Sequence, residues 1–336
     1  MWLYRLPKVE LHCHLDGSIP LQVLKELCVM GHVTVPGDEK EFRSLAEAGD
    51  NCESLTEYLK AFELPLSCLG TEESFLRASY AVAAEAAREN VRYMEIRFAP
   101  LLSETSAFAA ERIIEACAEG LQKACEDTGI YASLILCGMR HFSAADNFRT
   151  LDLGKRYLGK GVCGVDLAGD ESEYQNELFL EYFKKAGRMD IPLTVHAGEC
   201  KRVQNIELAM ENGAKRIGHG IAMRGNYELQ ELLCKKGIGV ELCPGSNLQT
   251  GAVASAEEYP FREFLKNGVK ISVNTDNRTV TNTTMIKELK FLDTHFGLSA
   301  EDAGRLMMNA IETSFAGNSV KEIVRKEISQ WEKESA

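Results

Sequence analysis

Short runs rich in Val, Ile, Leu and Tyr recur along the chain, separated by longer stretches in which charged positions repeat at helical spacing. Eight of these runs read as strands: residues 8–14, 91–98, 131–139, 161–167, 192–196, 215–218, 238–242 and 270–274. Their unbroken apolar character suits strands covered on both faces. The intervening residues 106–127, 173–188 and 226–236 read as amphipathic helices. Strand–helix alternation implies a parallel sheet, and eight such units can close into an α/β barrel of the TIM (β/α)8 type. The gap between the first two strands, residues 18–90, is long enough for several extra helices, and insertions after barrel strands tend to cover the active site. The tail after Leu298 reads as two closing helices.

The chain shows no repeat, no low-complexity segment and no Pro-, Gly- or Ser-rich linker, so residues 1–336 are read as one domain. A length rule of roughly 150 residues per domain suggests two, but barrels commonly exceed it. The formal charge of -12 argues against a nucleic-acid or membrane surface, where phosphates favour Lys and Arg. No leader-like apolar segment or membrane-length apolar run is seen, so the expected compartment is the cytoplasm. Eleven cysteines are many, yet none sits in a CxxC pair; they read as reduced, mostly buried thiols. No surface stripe commits to a dimer, and the oligomeric state stays open.

The chemistry lies in the distribution of histidines. Five of seven fall at or near the C-terminal ends of expected strands: His12, His14, His141, His196 and His219. The other two, His32 and His295, read as exposed. His12 and His14 stand two apart in VELHCHLDG, so they share one face of a strand. In TVHAGE, His196 ends the fifth strand with Glu199 three residues on; a lone loop glutamate could equally cap the next helix. RIGHG ends the sixth strand at His219, and SVNTDN ends the eighth at Asp276. Imidazole nitrogen and carboxylate oxygen are zinc ligands, and a catalytic site keeps a position for water, whose pKa falls toward about 7. Glu199 could then move protons.

In order, HCHLDGS, YMEIRFAP, GVDLAGDE, TVHAGE, RIGHG, CPGSN and NTD resemble the adenosine deaminases of the amidohydrolase superfamily, over a span from about residue 7 to the last helices. The resemblance implies one Zn2+ per chain, bound by His12, His14, His196 and Asp276. It implies that Glu199 protonates purine N1 while His219 and Asp276 hold the hydroxide that attacks C6. It implies a substrate pocket that includes His14, Asp16 for the ribose 5′-hydroxyl, and Gly169 and Asn277 for the purine. Leu55, Tyr58, Leu59 and Phe62 form one apolar helix face, which reads as plain core packing or, by the resemblance, as a wall of the purine pocket.

One position departs from the family. Asn277, followed by Arg278, replaces the usual Asp-Pro, whose Asp touches purine N7. An amide can donate to N7 but cannot ionise. Gly245 stands where Thr is more usual. Adenosine and 2′-deoxyadenosine are the expected substrates. A different 6-aminopurine or modified nucleoside, or a weakly catalytic nucleoside-binding homologue, remains an alternative.

Overall fold

The computed structural model describes residues 2–49, 52 and 55–335. Eight parallel strands form the centre: β1 (Lys8–His14), β2 (Val91–Phe98), β3 (Tyr131–Met139), β4 (Val162–Ala168), β5 (Thr194–Ala197), β6 (Arg216–His219), β7 (Gly239–Leu242) and β8 (Lys270–Val273). Continuous ladders join β1 through β4 and β5 through β8. Two single bridges close the ring, Val165 with Leu193 between β4 and β5, and Cys13 with Asp276 between β8 and β1. The molecule is a (β/α)8 barrel, and strand side chains are buried almost throughout because helices cover the outside.

The first three strands match the sequence expectation residue for residue, and the others shift by one or two. Strand β5 begins at Thr194 rather than 192. Pro192 has no N–H for a ladder, though its carbonyl still accepts from Val165 N at 2.9 Å. The helix expected from residue 173 starts late, as a short 3-10 turn (Asn176–Phe179) followed by Leu180–Arg188. The Asp170 carboxylate draws the N–H groups of Ser172 and Glu173 into a turn of their own.

Among the described residues, the insertion after β1 holds five helices: Leu21–Met30, Glu39–Ala46, Leu55–Lys60, Glu63–Cys68 and Glu72–Arg88. Two helices close the chain, Ala300–Thr313 and Asn318–Ser335. One contiguous apolar core runs through the barrel wall and its helices. A small satellite lies apart from it, Tyr58 of the helix Leu55–Lys60 packed with Ala61 and Val280. No disulfide joins the described residues. No helix among the described residues is long and apolar enough to cross a membrane.

Candidate active site

The C-terminal ends of β1, β5, β6 and β8 open into a cavity of about 520 Å³, within the range of small-ligand sites. His12, His14, His196 and Asp276 converge at its floor, with one ligand atom from each lying within 4.8 Å of the others. His14 Nε2 and His196 Nε2 are 3.1 Å apart. His12 Nε2 lies 3.2 Å from Asp276 Oδ1 and has no hydrogen-bond partner.

The supporting shell fixes these rings. His12 Nδ1 lies 2.8 Å from Glu241 Oε2, and His196 Nδ1 lies 2.9 Å from Asp166 Oδ2. A carboxylate at each Nδ1 places the proton there and leaves the lone pair on Nε2, facing inward. Burial holds His14 well below the ordinary histidine range, so it too is neutral. Asp276 adds its carboxylate to the same floor, Oδ1 lying 3.2 Å from His12 Nε2 and 3.4 Å from His14 Nε2. Lone pairs and one negative charge thus face each other with no donor between them. The four side chains fit a divalent cation, which would satisfy all of them.

Beneath this floor a buried ion-pair network crosses the barrel. Arg97 donates to Asp166 and to Glu241, each at 2.9 Å. Glu241 also accepts from Arg216 and from Thr194. Arg97, Arg216, Asp166 and Glu241 are fully buried. Arg97 and Arg216 outweigh the burial of Glu241 and hold its carboxyl far below the ordinary range.

Two of the functional residues adopt left-handed backbone, His219 at φ 63° and Asp276 at φ 60°. Such non-glycine conformations cost about 1–3 kcal/mol and persist only where the surroundings enforce them. For Asp276 the enforcement is visible. Its N–H donates to His12 O at 2.9 Å and its carbonyl accepts from His14 N at 2.7 Å, stitching it to β1.

Glu199 does not cap a helix. Its Oε2 is 3.7 Å from His219 Nε2, and Thr250 Oγ1 donates to its Oε1 at 3.2 Å. The turn that carries it is held by Glu171, whose buried carboxylate accepts from the N–H groups of Gly198, Glu199 and Cys200 at 2.6, 2.8 and 3.0 Å. His219 is oriented from behind. Tyr259 donates to Asn247 Oδ1, and Asn247 Nδ2 lies 3.0 Å from His219 Nδ1, which leaves the His219 proton on Nε2, toward Glu199.

The remaining expected residues line the same cavity: Asp16, Gly169 and Asn277, with Tyr58, Leu59 and Phe62 from the insertion. Burial raises the Asp16 carboxyl to about 6. Leu59 is 43% exposed and forms rim rather than buried wall. Leu55 begins the helix, but its side chain lies outside the described residues. His141 is exposed at the mouth. Gly245 also has a reason: its N–H donates to Glu288 Oε2 at 2.9 Å, and a Cβ there would stand 2.6 Å from Glu288 Oε1.

Residues 7–331 match the family model described as adenosine deaminase. The chain belongs to the adenosine deaminase family. It is 39% identical to an adenosine deaminase of Enterococcus faecalis over 326 residues, covering 97% of each chain. Among solved structures, an adenine deaminase from Arthrobacter aurescens superposes with a TM-score of 0.89 at 25% identity, covering 98% of this chain and 99% of that one. Arabidopsis ADAL complexed with IMP superposes with a TM-score of 0.86 at 26% identity, covering 100% and 99%. Sequence reasoning had not singled out Asp166, Glu171, Glu241, Arg97, Asn247 or Thr250 as members of the site.

Proposed function

We propose that the protein hydrolyses the exocyclic C–N bond of adenosine and 2′-deoxyadenosine, giving inosine or 2′-deoxyinosine and ammonia. The observation that carries this reading is Glu199 within 3.7 Å of His219, at the edge of the four-ligand cluster and inside one cavity. His12, His14, His196 and Asp276 would hold one Zn2+, which when bound supplies an ionised water at neutral pH.

The chain's own residues do the rest. A purine ring is a poor electrophile until N1 gains a proton, so an acid must act together with the nucleophile. Glu199 supplies that proton, its carboxyl oriented by the Thr250 hydroxyl and its turn pinned by Glu171. The His219 Nε2–H and the Asp276 carboxylate, both on backbone fixed before substrate arrives, orient the attacking oxygen toward C6 and stabilise charge as it develops. The oxygen's proton leaves with the amine as ammonia.

The lining also supports a nucleoside over a nucleotide. Among the described residues that line the cavity there is no Lys or Arg, while Asp16, Asp170 and Glu173 are present. A phosphate would meet carboxylates without a compensating cation. We take the whole barrel as one working domain and, with no disulfide among the described residues, assign it to a reducing cytoplasm.

Initial rates on adenosine, 2′-deoxyadenosine, adenine and AMP test the proposal. Adenosine and 2′-deoxyadenosine should dominate, and AMP should be turned over least. Adenine as the preferred substrate would overturn the assignment of the ribose site around Asp16.

A further inference from the structure

The Asn277 amide, 2% exposed at the wall of the cavity, is only half partnered. Its Nδ2 donates to Tyr58 Oη at 2.8 Å, and that hydroxyl lies 2.7 Å from Thr281 Oγ1. Its Oδ1 is buried with no partner. Gly17 makes room for that oxygen, since a Cβ at position 17 would collide with it. Tyr58 comes from the helix Leu55–Lys60 of the insertion and is 2% exposed.

We infer that Tyr58 is a positioning residue for base recognition: its hydroxyl sets which end of the Asn277 amide meets the purine. The inference rests on the nucleoside deaminase reading. In a purine, C6 is flanked by N1 on one side and, across the ring junction, by N7 on the other. Glu199 stands with His219 and Thr250, whereas Asn277 stands with Tyr58, Thr281 and Gly17. With Glu199 at N1, the Asn277 wall faces N7, which accepts hydrogen bonds and needs a donor.

A carboxyl at this position donates only when protonated. An amide always donates, but only when turned the right way. The two hydroxyls in series can serve either orientation. Tyr58 accepts from Nδ2, as the structure has it, and its own proton can go to Thr281 Oγ1. In this orientation Tyr58 holds one N–H of the amide and leaves the other for the base, while Oδ1 stays against Gly17. Phe at position 58 would keep the ring on Ala61 and Val280 but leave the amide unguided.

The test uses two nucleosides that differ in which ring nitrogen is missing: 1-deazaadenosine keeps N7, and 7-deazaadenosine lacks it. Dissociation constants are measured by calorimetry for the unmodified protein, Tyr58→Phe, Asn277→Ala and the double variant. Tyr58→Phe should weaken 1-deazaadenosine about tenfold and leave 7-deazaadenosine within about twofold. On the Asn277→Ala background it should change neither. Equal weakening of both ligands would assign Tyr58 to packing alone and overturn the inference, as would no change in either. Adenosine turnover by the unmodified protein is read alongside. Its absence counts against the deaminase reading itself, whereas the ratio of the two constants judges Tyr58.

Discussion

The floor of the cavity and its outer wall hold their polar groups by different means. On the floor, His12 and His196 grow from barrel strands and are backed by buried carboxylates, His12 by Glu241 and His196 by Asp166, and both carboxylates meet Arg97. On the wall, Tyr58 of the helix Leu55–Lys60 packs with Ala61 and Val280 and bonds to Thr281 and Asn277 after β8. The floor is deep in the main core and cannot shift one group without unpairing another. On the proposed reading the contrast separates two tasks: the floor would fix the reaction, and the wall would select the base.

The sharpest blow to the floor's chemistry is Glu199→Gln. It should lower kcat by about 10²- to 10⁴-fold, with metal content and melting temperature unchanged. Equal rates in the two proteins would remove Glu199 as the acid. The floor's structural weight is tested by Arg97→Met, which leaves Asp166 and Glu241 short of a buried partner. Urea unfolding should show a loss of about 3–5 kcal/mol.

A pH test probes the ground between the two regions. Burial raises the Glu288 carboxyl to about 7. A raised carboxyl favours the neutral form in the folded state, so folding takes up a proton. Its stabilising contribution is full below about 4.5, where both states are protonated, and is lost as pH rises through about 7. Relative to Glu288→Gln, the unmodified protein should lose stability between these pH values, by on the order of 3 kcal/mol in total. Parallel stability curves for the two proteins would contradict the raised carboxyl.

The smallest effect belongs to the rim. Leu59→Ala should change stability by less than about 0.5 kcal/mol, since the side chain is 43% exposed. It should raise KM for adenosine severalfold with kcat held. A fall in kcat alone would move Leu59 into the chemistry and blur the line between floor and wall.

The same contrast explains what could be read without coordinates. The ligands were legible because each sits in a short motif at a strand end, and the period-two spacing of His12 and His14 fixes their shared face. Their supports were not legible. Arg97 meets Asp166 across 69 positions and Glu241 across 144, and no local pattern encodes such pairs. Glu171 lay inside the quoted GVDLAGDE motif, yet its link to the backbone of Gly198 through Cys200 exists only in three dimensions. The late start of Leu180–Arg188 came from Asp170 competing for backbone donors, a local signal that helical periodicity overrode. Gly245 gained meaning only with Glu288 beside it.

The central claim is that four side chains from β1, from β5 and from the segment after β8 hold one cation. Elemental analysis of the purified protein and of His196→Ala, prepared side by side, tests it most directly. One zinc per chain is expected in the first and almost none in the second. A full zinc complement in the variant, or an active protein carrying no metal at all, would contradict it.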